Sequence, residues 1–215
     1  MIPLLHDFTG TRVLVFGGGA VGARKARRFA READVVVVSP SFEADAFGDA
    51  NLVRTAPDPE DVEGWFERVE PALAVAATDD ERLNAAIETV ARDRGVLVNR
   101  TDTHGERDPG SVVVPATVRD DPVVAAVATG ATSPALSAHL RDRIADEIAG
   151  SGEMAALTAD LRERLEREGV SAAERHEAVR SVVNSGRVWK ALDRGDTNVR
   201  QVAADVISDV TGDLQ

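Results

Sequence analysis

The sequence has no cysteine and no tyrosine. Without thiols there can be no disulfide, no zinc–thiolate centre and no thiol nucleophile. The missing tyrosine rules out dehydrogenase sites built on a phenol that polarises a carbonyl. Lysine occurs only at Lys25 and Lys190, so the basic residues are nearly all arginine. Positive charge is scarce overall: net charge is -12 and the pI is about 4.8, a field that repels phosphates and argues against a nucleic-acid partner. Acid-rich, lysine-poor composition suits a cytoplasm at very high salt, where self-repulsion is screened. No apolar run reaches membrane-spanning length, and the N-terminus lacks the basic flank and apolar core of a signal peptide. A cytoplasmic chain with no membrane partner is expected.

What is present is enough for a folded core: 215 residues, 43% of them hydrophobic. The most informative stretch is Arg12 to Ala26. Val13 to Phe16 read as a buried strand, and Gly17, Gly19 and Gly22 follow with the G-x-G-x-x-G spacing. Gly17 permits a sharp turn, Gly19 lets the backbone approach a pyrophosphate, and Gly22 allows the new helix to sit close on the strand. The helix start offers free N–H groups and the positive end of its dipole to a phosphate pair. Gly17, Gly18, Gly19, Ala20, Val21 and Gly22 are therefore candidate cofactor residues. Arg24 and Lys25, one turn further on, are candidates to lie near a phosphate.

Downstream, strands are expected at 35–38, 51–55, 72–77 and 96–98, and helices at 20–31, 60–68 and 81–94. Val21, Ala26, Phe29 and Ala30 are read as the apolar side of the first helix, and Thr78 or Asp79 as the cap of the third. This alternation implies an α/β, Rossmann-like, doubly wound parallel sheet with its ligand at the carboxyl ends of the strands. After the second strand comes Ser39-Pro40-Ser41, where many NAD-binding proteins carry an acid for the ribose hydroxyls. Glu43 and Asp45 follow within a few residues, and no arginine at that strand end advertises a 2′-phosphate pocket, so NAD is expected over NADP.

Residues 99–110 read as a polar loop. Behind it two apolar runs, 111–118 and 123–129, joined by Arg119-Asp120-Asp121-Pro122, predict a β-hairpin. A helix over 134–149 follows with Ser133 as N-cap and Pro134 at its first position. Helices are expected at 154–168, 172–184, 188–192 and 199–210. Gly150-Ser151-Gly152 is the natural boundary, giving a division into 1–110, 111–149 and 150–215.

Taken together, these residues resemble the precorrin-2 dehydrogenases of siroheme synthesis, also found as the amino-terminal part of the multifunctional siroheme synthases. The resemblance rests on Pro3-Leu4, Val13 to Gly22 with Arg24-Lys25-Ala26, Val38-Ser39-Pro40, Ala76 to Asp80 with Leu83-Asn84, Val98-Asn99 with Asp102, Val114-Pro115-Ala116, and Thr129-Gly130 with Ser133 to Leu136. It runs collinearly over roughly residues 1–145. It implies NAD-dependent oxidation of precorrin-2 to sirohydrochlorin, with a Rossmann domain (1–110), a central homodimerisation segment (111–149) and a small helical domain (150–215). Ser39, Pro40 and Thr78 join the cofactor residues on this basis.

Asp102 matches the family's catalytic aspartate. Dehydrogenation removes a hydride and a proton from the macrocycle, and a carboxylate just beyond a sheet strand suits a general base or a substrate-orienting group. Some relatives also insert ferrous iron into sirohydrochlorin; His104 is the nearest extra metal or proton group, but His6, His139 and His176 share no ligand spacing with it, and no metal site is assigned. The polycarboxylate substrate calls for basic partners. Arg100, Arg107, Arg119 and Arg141 are candidates, with Ser133 a helix cap near the same segment. Two departures from the family pattern are Ala138, often arginine, and Ala131, often glycine. The methyltransferase of the longer synthases is not expected. The competing readings are an NAD-binding regulatory module without chemistry, a dehydrogenase for a small hydroxy acid, and a dimeric scaffold.

Overall fold

A computed structural model of the chain describes residues 2–43, 47–102, 110–130 and 132–212. The chain divides into two compact units, Met1–Val114 and Pro115–Gln215.

The first unit is a five-stranded parallel sheet in the order β3-β2-β1-β4-β5, made by β1 (Arg12–Phe16), β2 (Asp34–Ser39), β3 (Asn51–Arg54), β4 (Leu73–Ala76) and β5 (Leu97–Arg100). The near-continuous valine, leucine and alanine of these strands is what a sheet covered on both faces demands. Side chains alternate between two cores. Leu14, Phe16, Val38, Ala74, Ala76 and Val98 point to one side, against α2 (Val62–Val69) and α3 (Glu81–Asp93). Val13, Val15, Val35, Val37 and Val75 point to the other, against α1 (Ala20–Phe29). The strand order reverses between β1 and β4, which places the loops after those two strands side by side at the carboxyl edge.

Three expectations from sequence shift here. Val21 is 37% exposed, and the buried side of α1 is Gly22, Ala23, Ala26 and Phe29, because a 100° step per residue puts position 21 away from the 22–26–29 stripe. The cap of α3 is Asp80, whose carboxylate accepts from the backbone N–H of Arg82 and Leu83. Finally, β5 runs on to Arg100, so Asn99 and Arg100 are buried strand residues and not part of a polar loop.

The second unit begins with the antiparallel hairpin β6 (Ala116–Asp120) and β7 (Val123–Val127). The hairpin is shorter than the apolar runs suggest. Ser111 bridges Val98, and Val112 and Val114 pack on the α1 side of the large sheet. One apolar run thus serves two units. Helix α4 (Pro134–Glu147) is capped by Ser133, whose hydroxyl accepts from the Leu136 N–H, and it buries none of its own residues. Gly152 opens α5 (Ser151–Arg167) against the hairpin turn: its N–H donates to Asp120 Oδ2 at 3.0 Å, and a Cβ there would stand 2.4 Å from the Asp121 carbonyl oxygen. Helices α5, α6 (Ala172–Val183), α7 (Gly186–Asp193) and α8 (Val199–Gly212) share a separate core of Met154, Leu161, Leu165, Val182, Val188 and Val206. Among the described residues no helix is long and apolar enough to cross a membrane.

The net charge of -12 makes stability salt-dependent. Raising KCl from 0.1 M to about 1 M shortens the Debye length from about 10 to about 3 Å, and the melting temperature is expected to rise by on the order of 5 °C. A melting temperature that is flat or falls with salt would contradict the high-salt reading of the composition.

Candidate dinucleotide and catalytic site

The turn after β1 is fixed by close backbone approaches. Gly17 has φ of 120°, and a Cβ on it would lie 2.2 Å from the Ala77 carbonyl oxygen, so the loops after β1 and β4 touch. A Cβ on Gly22 would lie 1.9 Å from the Gly17 oxygen, and one on Gly18 would lie 1.9 Å from the Ser41 oxygen and 2.7 Å from the buried Ser39 hydroxyl. Gly19 is different. Its φ is -80° and a Cβ would meet only Glu43 Oε2, at 3.8 Å. Three glycines pack the turn and the fourth keeps one face open where α1 begins. Gly19 is the N-cap of α1, with no side-chain cap and no acid in the first turn. An open face at an uncapped helix start, beginning with Ala20 and Val21, fits the pyrophosphate of a dinucleotide.

Around this turn, Glu43 donates its N–H to the Gly18 oxygen at 3.1 Å and turns its carboxylate toward Gly19. Asp45 lies outside the described residues. Ser39 and Pro40 end β2 beside the turn. An arginine does stand at this strand end, contrary to expectation: β3 pairs Arg54 with Ser39, and the Arg54 guanidinium lies over the Phe42 ring at 5.3 Å and donates to the Pro40 oxygen at 3.3 Å. Only sheet register brings it there. Arg24 is on the exposed side of α1, and Lys25 is half-buried.

Across the switch point, Thr78 follows β4. Its hydroxyl donates to Asn84 Oδ1 at 2.7 Å, and Asn84 Nδ2 donates to the Thr78 backbone carbonyl oxygen at 2.9 Å. Asp102 follows the neighbouring β5, where Arg100 Nε donates to Oδ1 at 3.0 Å and Nη2 to Oδ2 at 2.7 Å. The guanidinium fork holds the Asp102 carboxyl below the usual carboxylate range, and Asn84 adds to this against the opposing effect of partial burial. Arg100 is raised in turn, chiefly by Asp102 and then by Glu88. The Asp102 side chain keeps 26% of its surface exposed, so the ionised carboxylate can meet a ligand.

Arg100, a candidate for substrate carboxylates, thus directs its donors at Asp102 and Glu88. Its neighbour Asn99 points to the opposite face, where Nδ2 donates to the Val112 oxygen at 2.8 Å. His104 and Arg107 lie outside the described residues, as does Ala131. In the second unit, Arg119 Nη1 approaches Asp121 at 3.9 Å, Arg141 Nε donates to Asp142 at 2.9 Å, and Ser133 caps α4. Among the described residues no cluster of three or more acidic or histidine side chains is arranged to hold a metal.

A doubly wound sheet with this glycine turn at its switch point defines a dinucleotide-binding α/β protein. Residues 4–116 match the family described as "Putative NAD(P)-binding". Over 220 residues the chain is 31% identical to a precorrin-2 dehydrogenase of Methanosarcina barkeri (strain Fusaro / DSM 804), covering 96% of this chain and 93% of that one. The chain belongs to the precorrin-2 dehydrogenase family. It is also 36% identical over 173 residues to a siroheme synthase of Azotobacter vinelandii (strain DJ / ATCC BAA-1303), of which it spans 35% of the length. The solved structure of SirC, a precorrin-2 dehydrogenase, has the same fold, with a TM-score of 0.71 at 21% identity, covering 97% of this chain and 100% of that one.

Proposed function

We propose that this protein is an NAD-dependent oxidoreductase that oxidises precorrin-2 to sirohydrochlorin on the way to siroheme, in the cytoplasm. The observation that carries the reading is the juxtaposition at the carboxyl edge of the sheet: an open glycine turn after β1, Thr78 after the adjoining β4, and an ionised Asp102 after the next strand. NAD, when bound, accepts the hydride.

The residues divide the remaining work. Gly17, Gly18 and Gly22 hold the turn, Gly19 and the first N–H groups of α1 receive the pyrophosphate, and Ser39, Pro40 and Thr78 border the cofactor. As a hydride leaves the macrocycle, positive charge develops on the substrate, and a fixed carboxylate opposite it stabilises that charge. Because Arg100 lowers the basicity of Asp102, the carboxylate acts mainly by its charge and orientation, and passes on to water the proton that the substrate loses. Arg119 and Arg141 are proposed for the substrate carboxylates from their chemistry alone, with Ser133 and His104 as further polar contacts.

An anaerobic assay of precorrin-2 with NAD, NADP and ferrous iron in separate arms tests it. Sirohydrochlorin and NADH should appear together in the NAD arm. Their absence with correctly folded protein would overturn the reading, and metal insertion in the iron arm would add chelatase activity to it.

The 111–149 segment is proposed as a homodimer surface. A lone two-stranded hairpin is marginal in water, and β6, β7 and α4 leave Val118, Val123, Val124 and Leu136 only half-covered. Light scattering should give twice the chain mass, and Leu136→Asp should shift it toward the monomer. A monomeric parent would contradict this assignment.

A further inference from the structure

The ion pair on Asp102 continues inward. On β5, Val98 and Arg100 share the face that meets α3, and Arg100 is only 9% exposed. Its third donor group, Nη1, bonds Glu88 Oε2 at 2.9 Å, and the Glu88 side chain is 16% exposed. Glu88 is one helical turn from Asn84 on α3. Glu88 therefore reaches Asp102 through the guanidinium. Arg92 Nη2 stands 3.9 Å from the other Glu88 oxygen.

A charge cluster around a buried guanidinium, with Glu88 half-buried and Asp102 partly exposed, is a poor way to stabilise a fold. Desolvating the guanidinium and part of the Glu88 carboxylate carries a cost that their attraction need not offset, and apolar side chains of similar volume commonly serve as well. Val98, two residues earlier on the same face, is such a side chain. What the cluster gives that apolar packing cannot is a fixed plane for one carboxylate. Both Asp102 oxygens are engaged by a single planar fork, and that fork is itself prevented from swinging by an anion on its far edge. Asn84, which exchanges hydrogen bonds with Thr78, lies one turn before Glu88 on the same helix.

We propose that Glu88 is a positioning residue, acting through Arg100 to hold the Asp102 carboxylate in the plane that faces the substrate. The inference rests on Asp102 being the reacting carboxylate.

The test compares Glu88→Gln, Glu88→Ala and Arg100→Lys with Asp102→Asn in anaerobic precorrin-2 turnover, alongside NAD titration by quenching of protein fluorescence. Glu88→Ala should lower kcat by about 10- to 100-fold, with NAD affinity and KM within about twofold, the pattern of a lost transition-state contact. Glu88→Gln, which keeps an acceptor for Arg100, should recover part of that loss. Arg100→Lys keeps a charge without the fork, so it should lower kcat and move the acid limb of the pH profile upward, because Asp102 then titrates nearer its ordinary range. A Glu88→Ala variant that fails to fold leaves the other two to decide. Wild-type kcat and an unshifted acid limb in both, with Asp102→Asn inactive, would overturn the positioning role and leave Asp102 in place. Turnover retained by Asp102→Asn would overturn both.

Discussion

Replacing Gly19 with alanine is expected to leave the protein folded and to lower NAD affinity at least tenfold, a difference of about 1.4 kcal/mol. The same change at Gly17 is expected to damage the fold itself. The two glycines are two residues apart, but they do different things. At Gly17 an added methyl would stand 2.2 Å from a backbone oxygen on the neighbouring loop, at a φ of 120° that residues with a side chain rarely adopt. Neither backbone can retreat without parting β1 from β4, and a destabilisation of more than about 3 kcal/mol is expected. At Gly19 the methyl meets only the end of a glutamate side chain at 3.8 Å. It projects into the open face where the pyrophosphate belongs, so stability should change by no more than about 0.5 kcal/mol. Thermal melting and NAD titration of both variants check this. Parental NAD affinity in Gly19→Ala would refute the glycine-turn assignment.

Asp102→Asn should lower turnover by about 100- to 1,000-fold, with NAD affinity unchanged because the glycine turn follows a different strand. The side chain keeps its shape and loses its charge, which separates a charge-dependent role from a packing one. The pH dependence carries a sign of its own. Arg100 depresses the folded-state pKa of Asp102, so the ion pair's stabilisation is present above the unfolded carboxylate value of about 3.9 and is lost as pH falls through the lower folded value. Parental activity should therefore not lose this carboxylate between neutrality and about pH 5, and any loss at that stage must come from another group. An acid limb near pH 6 in the parent that is absent from the residual activity of Asp102→Asn would contradict the electrostatic account of Asp102.

The sheet and its turn were legible in the sequence because their determinants are local. An apolar run followed by glycines at fixed spacing constrains only its own backbone, and Gly17 to Gly22 fold as that spacing requires. The cap of α3 was less determinate, since Thr78, Asp79 and Asp80 can all cap a helix. Thr78 is occupied with Asn84, and Asp80 takes the cap. Asn99 and Arg100 looked like loop residues because both are polar, and their burial depends on partners 13 and 12 residues away, the Val112 oxygen and Glu88. Arg54 is brought to Ser39 by strand register alone. In each case a distant residue supplies what the local pattern lacks.

The central claim is that one chain joins a dinucleotide turn to a catalytic carboxylate for precorrin-2. The most direct test is anaerobic incubation of precorrin-2 and NAD with the parent or with Asp102→Asn, following sirohydrochlorin and NADH together. Equimolar products from the parent, and neither from a variant that still binds NAD, are predicted. Products from both proteins, or NAD binding without product from the parent, would contradict the account.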